Sequence, residues 1–160
     1  MRSLVAILLF AGAIQGAPAA AQSSASPLLG SWAVDVSRLP MPAEARPKSV
    51  TFRFSEAGQN KWMTRVDILG GDGSERHMSS TYTLDGTAAA IEGDTAEADA
   101  GAVKLPAPNV MVLALGKGGI PASTRVYVVA PDGKTMIETA AYVGGDGKPM
   151  MRTNYFTRLK

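Results

Sequence analysis

The chain has 160 residues, no cysteine, and a formal net charge of +2 from 16 basic and 14 acidic residues. The lack of cysteine excludes disulfides and thiolate chemistry, and the basic residues are spread singly, which argues against a nucleic-acid partner. The length suits one domain that buries a substantial core. We therefore expect a single domain that is stabilised by its core alone.

The first 21 residues have the features of a secretory signal peptide. Arg2 gives a short basic start, and residues 4–14 form an apolar segment that is shorter than the roughly 20 residues of a spanning helix. Small residues at 19–21 predict cleavage before Gln22. An uncleaved membrane anchor is the alternative, and the lack of cysteine excludes a lipid-anchored lipoprotein.

Cleavage at this position predicts export. We expect the mature protein in a bacterial periplasm, or secreted outside the cell, with no membrane span. The Ser- and Ala-rich residues 22–29 are predicted to be a flexible lead-in, and residues 30–160 a single domain.

The first ordered element is predicted at residues 30–36. There Trp32, Val34 and Val36 alternate with smaller or polar residues, which is the period of a half-buried strand. A proline-rich loop follows over residues 37–48. Beyond it, Val50, Phe52 and Phe54 alternate with polar residues in the clearest strand of the chain.

The remainder reads as strands separated by turns, several of them Asp-Gly turns that favour tight hairpins. Strands are predicted at 30–36, 49–55, 62–69, 76–84, 88–92, 103–105, 109–115, 123–130, 135–143 and 150–159. No helix of convincing period follows the leader. The fold class is therefore all-β, an up-and-down antiparallel barrel of about eight to ten strands, with a two-sheet sandwich as the competing architecture.

The order of short motifs resembles that of small exported bacterial lipocalin-like (calycin-type) barrels. The motifs are the Gly30-x-Trp32 opening, prolines at 40, 42 and 47, and Asp-Gly-Lys turns at 132–134 and 146–148. The resemblance implies a ligand-binding barrel whose opening Trp closes the base. It also implies that an Arg of the last strand, Arg158 or else Arg152, packs across that Trp. The cysteines that lipocalins usually carry are absent.

Candidate catalytic chemistry is sparse. The single histidine, His77, shares a predicted outer face with Ser79 and Thr81, so we expect a surface or structural role. No nucleophile elbow, phosphate loop or paired-carboxylate spacing is present. We expect no enzyme activity, no cofactor and no metal site, although an enzyme of lipocalin-like type is a minor alternative. The glycine-rich turn at 116–119 is a candidate gate for a barrel mouth.

The apolar face of the predicted strands is the candidate ligand-binding surface. Its members are Trp32, Phe52, Phe54, Trp62, Val66, Met78, Tyr82, Met111, Leu113, Ile137, Met151 and Tyr155. The ligand-lining candidates among them are Phe52, Phe54, Trp62, Met78, Tyr82, Met111 and Tyr155, and the candidates for a structural barrel base are Gly30, Trp32 and Arg158. These side chains either line a cavity or fill the barrel.

Two functions follow from these two states of the interior. A cavity predicts an exported barrel that binds a small apolar or amphipathic ligand of the fatty-acid or lipid class. A filled interior predicts a solid-cored structural or protein-interaction barrel of the cell envelope with no small-molecule ligand. Ligand identity and oligomeric state do not follow from the sequence.

Overall fold

The computed structural model describes residues 25–160 and shows an all-β, antiparallel, nearly closed barrel. Its strands are β1 (Gly30–Val34), β2 (Ser49–Glu56), β3 (Lys61–Leu69), β4 (Glu75–Thr83), β5 (Asp85–Ala90), β6 (Glu92–Gly93), β7 (Ala100–Ala107), β8 (Val110–Lys117), β9 (Ile120–Val129), β10 (Thr135–Val143) and β11 (Pro149–Arg158). Short 3-10 turns at Val36–Arg38 and Ala43–Ala45 interrupt the β1–β2 connection.

The predicted fold class is confirmed, with eleven strands rather than eight to ten. The additional strand is the two-residue β6, which is too short to leave an alternating pattern in the sequence. The first strand is also shorter than predicted, because Asp35 ends it. The Asp35 carboxylate accepts a hydrogen bond from the Ser37 amide at 3.2 Å and so starts the first 3-10 turn.

Neighbouring strands follow chain order except at one seam. The sheet runs β5-β7-β8-β9-β10-β11-β1-β2-β3-β4-β6, so β5 pairs with β7 while β4 pairs only with β3 and the short β6. Side chains close the remaining gap between β4 and its neighbours β5 and β7. The Ser80 hydroxyl donates to the Ala90 carbonyl at 2.6 Å, and Tyr82 lies against Gly101, where an added Cβ would sit 2.7 Å from the Tyr82 hydroxyl.

The two ends of the barrel differ. Tight turns and residues 25–29 gather at one end, which we call the base. The residue 35–48 connection, the residue 94–99 loop and the turns after β3, β8 and β10 gather at the other, which we call the mouth. The glycine-rich turn at 116–119 therefore lies at the mouth.

The base is closed by the opening motif and the last strand. Trp32 is completely buried, and its indole N–H donates to the Leu28 carbonyl at 2.8 Å. The Arg158 guanidinium lies 4.1 Å from the Trp32 ring centroid, as the lipocalin-like resemblance implies. It also donates to the carbonyls of Gly133 at 2.6 Å, Leu29 at 2.7 Å and Pro27.

Gly30 makes room for that arginine. Its φ is +116°, and a Cβ there would lie 2.7 Å from an Arg158 nitrogen. Glycine is thus favoured at position 30 both by backbone conformation and by space.

The prediction of a flexible lead-in is wrong for residues 25–29. Leu28 is fully buried in the core, and the Ser26 hydroxyl donates to the Pro108 carbonyl at 2.6 Å. Residues 22–24 and the predicted signal peptide lie outside the described residues. Neither 3-10 turn in residues 25–160 has the length or the apolar character that crossing a bilayer requires.

A candidate ligand cavity

An internal cavity of about 340 Å³ occupies the mouth half of the barrel. Phe52 and Tyr127 form its aromatic floor, and each packs on a ring of the core beneath, with the Phe52 and Phe156 centroids 5.3 Å apart and the Tyr127 and Phe54 centroids 5.9 Å apart. Below this floor the interior is filled by buried apolar side chains down to Trp32. The volume falls in the 300–1,000 Å³ range of small-molecule sites, near its lower end.

The wall formed by β2, β3, β4 and β8 is mostly apolar. Its side chains include Val50, Phe52, Val66, Met78, Tyr82 and Leu113. Leu39, Met41 and Pro47, from the connection between β1 and β2, also line the cavity. This half of the site can exclude water from an apolar ligand, and its polar members are Thr64, Arg76, Ser79 and Ser80.

The opposite wall, formed by β9, β10 and β11, is polar and charged. Arg125, Glu138 and Asn154 are each at least nine-tenths buried there. The Asn154 amide donates to Glu138 Oε2 at 3.3 Å, and Arg125 Nη1 lies 3.6 Å from Glu138 Oε1. Burying two charges is costly unless they pair, so this ion pair is the central contact of the polar wall.

Glu97 extends the cluster from the residue 94–99 loop. Its Oε1 contacts Arg125 Nη2 and lies 3.7 Å from Arg152 Nη2. One carboxylate oxygen is therefore shared by two guanidinium groups at the rim of the cavity. The side chain of Glu97 is 56% exposed, while that of Arg125 is 8% exposed.

Four buried polar atoms of this wall have no hydrogen-bond partner within the described residues. They are Tyr127 Oη, Glu138 Oε1, Arg152 Nε and Asn154 Oδ1, and all four residues line the cavity. Buried polar groups are normally hydrogen-bonded, so such a concentration in one place calls for an explanation. Together the atoms provide both donors and acceptors for a polar group inside the cavity.

The surroundings shift the pKa values of two of these residues. Burial raises the pKa of the Tyr127 hydroxyl, and the nearby Glu138 carboxylate raises it further, so Tyr127 is neutral throughout the physiological range. Burial alone would lower the pKa of Arg125, but Tyr127, Glu138 and Glu97 outweigh it and raise this pKa. Arg125 is therefore a permanent cation in the wall.

The seven predicted ligand-lining residues fall into three groups, because three line the cavity, three lie in the core and one lies on the outer face. Phe52, Met78 and Tyr82 line the cavity. Phe54, Trp62 and Met111 are buried in the apolar core and are not among the lining residues. These three contribute to the packing around and beneath the cavity.

The inward assignment of Tyr155 is wrong. Tyr155 lies on the outer face of β11, where the Arg38 guanidinium stacks 3.2 Å from its ring centroid. Ile137 and Met151 also lie on the outer face and are 45% and 71% exposed. The residues that alternate with them, Glu138, Arg152 and Asn154, point inward instead, because this stretch of the interior is polar.

His77 lies on the outside of β4 with a half-exposed side chain. Its Nδ1 is 2.6 Å from Asp67 Oδ1, and its Nε2 is 3.4 Å from Glu75 Oε2. Burial of Asp67 opposes ionisation, but hydrogen bonds from His77 and Arg65 outweigh it and lower the pKa of that carboxyl. In residues 25–160 no group of three or more histidine or acidic side chains is arranged to hold a metal ion.

No protein-family model matches this sequence, and no curated protein matches it either. Among solved structures, Rv2717c from M. tuberculosis is similar with a TM-score of 0.51 and 14% identity, over 84% of this chain and 94% of that chain. EF1p2_mFAP2b bound to DFHBI is similar with a TM-score of 0.45 and 10% identity, over 85% of this chain and 100% of that chain. At these identities the first similarity shows a shared barrel fold and nothing further.

Proposed function

We propose that this barrel binds one small, mostly apolar ligand with a polar end, of the fatty-acid or lipid class. The observation that supports the proposal is the cavity with one apolar wall and one polar wall. Removing apolar surface from water supplies the free energy of binding, and a few buried polar groups orient the ligand. The lipocalin-like resemblance of the Gly30-x-Trp32 opening and export to the periplasm belong to the same proposal.

The solid-cored alternative disagrees with the interior. A filled barrel leaves space for a few waters at most, whereas about 340 Å³ is open here. We further propose a binding protein rather than an enzyme, since the single histidine faces away from the cavity.

Ligand binding is tested with a fluorescent probe and a pair of matched variants. Dansyl-labelled undecanoic acid is titrated into purified protein, and bound species are counted by native mass spectrometry. Met78→Trp fills part of the cavity and is expected to weaken probe binding at least tenfold. Met63→Trp makes the same change on the outer face of β3 and should leave binding unchanged.

Circular dichroism checks that both variants keep the barrel fold. Saturable one-to-one binding that Met78→Trp weakens and Met63→Trp spares supports the proposal. No saturable probe binding by the wild-type protein, or equal loss in the two variants, overturns it.

A further inference from the structure

Glu97 is a solvent-accessible carboxylate at the rim of the cavity, beside two arginines. Its carboxylate oxygen lies between the guanidinium groups of Arg125 and Arg152 at the rim of the cavity. Beneath it the buried Arg125 and Glu138 already form a pair. The polar wall therefore contains two cations and two anions, and Glu97 is the anion with access to solvent.

The charge balance indicates what can replace Glu97. If its side chain swings outward, two guanidinium groups remain against one buried carboxylate, and the wall carries one uncompensated positive charge. A ligand with a single negative charge restores neutrality. A planar carboxylate also suits two guanidinium groups because it accepts paired hydrogen bonds from them.

The loop that carries Glu97 is fixed on both sides of this residue. The Lys117 ammonium donates to the Thr95 carbonyl at 2.6 Å, and the Asp99 carboxylate accepts from the Gly118 amide at 2.9 Å. Ala98 is buried and lines the cavity. Because the backbone is held in place, the Glu97 carboxylate can leave the arginines by rotation of its side chain alone, and that side chain is already more than half exposed.

Two donor atoms without a hydrogen-bond partner, one of them on Arg152 itself, complete the site. Arg152 Nε and Tyr127 Oη are buried donors without a hydrogen-bond partner in residues 25–160. A carboxylate seated deeper than the Glu97 group reaches donors that Glu97 leaves unused. Buried unsatisfied donors are costly, so their pairing favours the ligand over the internal carboxylate.

We propose that the polar end of the ligand is a carboxylate, and that it binds by displacing the Glu97 carboxylate from Arg125 and Arg152. This inference rests on the proposed function, because it names the chemistry of the ligand at the same site. Glu97 then acts as a built-in competitor. It keeps the arginines paired in the empty barrel and sets the affinity for acids without affecting neutral ligands to the same degree.

The test separates the head-group preference from cavity binding itself. Nile red, a neutral dye, reports occupation of the cavity by its fluorescence. Sodium decanoate and 1-decanol then compete for the bound dye, and they share one alkyl chain but differ in the polar end. The wild-type protein is expected to bind decanoate more tightly than decanol.

Three variants assign the effect to individual residues. Glu97→Gln removes the competing charge and is expected to raise decanoate affinity about fivefold, with decanol changed less than twofold. Arg152→Gln is expected to lower decanoate affinity by a similar factor. Glu92→Gln removes a negative charge from the exposed strand β6, which does not line the cavity, and is expected to change decanoate affinity less than twofold.

The possible outcomes are distinct. Nile red and decanol binding without preference for decanoate, or equal effects of Glu97→Gln and Glu92→Gln on decanoate, would overturn this inference and leave the proposed function standing. Failure of all three compounds to bind would overturn both. A crystal structure of the decanoate complex with Glu97 still on Arg125 would also contradict displacement.

Discussion

The contact between Arg158 and Trp32 predicts a large loss of stability on replacement of Arg158. Arg158→Met removes hydrogen bonds to the carbonyls of Gly133, Leu29 and Pro27 as well as the stacked cation. Each bond from a charged group contributes about 1.5–3 kcal/mol, and a cation–π contact about 0.5–2 kcal/mol. Because Arg158 is half-buried and water can replace part of these contacts, we expect a net loss of about 3 kcal/mol.

Urea denaturation followed by circular dichroism measures this loss. For a domain of this size, a loss of about 3 kcal/mol lowers the midpoint of thermal unfolding by about 10 °C. The slope of the free energy of unfolding against urea should stay constant, since the extent of unfolding is unchanged. Arg158→Lys keeps the positive charge but not the guanidinium that donates to three carbonyls, and should lose about half as much stability.

Arg53→Met is the matched control. Arg53 is an exposed arginine of β2 whose guanidinium donates to the Ser31 hydroxyl at 3.2 Å, and its replacement should cost less than about 0.5 kcal/mol. A loss below about 1 kcal/mol for Arg158→Met, or a loss equal to that of Arg53→Met, would refute the role assigned to the base.

Three further predictions concern other parts of the barrel. Gly101→Ala should destabilise the seam because the new Cβ meets the Tyr82 hydroxyl. In a double-mutant cycle of urea midpoints, Tyr82→Phe should recover part of this loss, and simple additivity of the two substitutions would contradict the contact. Tyr127→Phe should keep the stability of the ligand-free protein or raise it by up to about 1 kcal/mol in the same assay, because the lost hydroxyl has no partner in residues 25–160. A loss of stability of more than about 1 kcal/mol would show that the hydroxyl has a partner. Hydrogen bonds from the Thr87 amide and two threonine hydroxyls lower the pKa of Asp85 to about 2. The contribution of the ionised Asp85 to the stability of the fold is therefore complete above its unfolded pKa near 4, and it disappears as the pH falls towards 2. The difference in urea midpoint between wild type and Asp85→Asn should therefore shrink from pH 5 to pH 2, and a constant difference would contradict it.

The fold was predictable because most strands carry a regular signal. Val50, Phe52 and Phe54 alternate with polar residues and do face the interior. The stacking of an arginine on Trp32 followed from the lipocalin-like resemblance, not from the strand pattern. The seam was not predictable, since the two residues of β6 are too few for an alternating pattern and pair with Met78 and Ser79 of β4 across the intervening β5.

The polar wall was missed for a physical reason. Assignment of strand faces assumes that apolar side chains point inward, which places Ile137, Met151 and Tyr155 inside. The structure reverses this pattern in β10 and β11, where Glu138 and Asn154 are buried. Sequence patterns tend to fail at functional sites, where polar groups are buried despite their cost. Glu97 left no signal at all, because a loop brings it to Arg125 and Arg152.

The seam between β4 and β7 has a consequence for how the barrel opens. Neighbouring strands elsewhere share a backbone ladder, whereas β4 meets β5 and β7 through side chains and the short β6. Local unfolding begins where the fewest backbone hydrogen bonds must break. The amides of β4 on this side should thus exchange hydrogen with solvent sooner than those of the paired strands. Opening there also frees two strand edges, on which a second chain can pair and begin to aggregate.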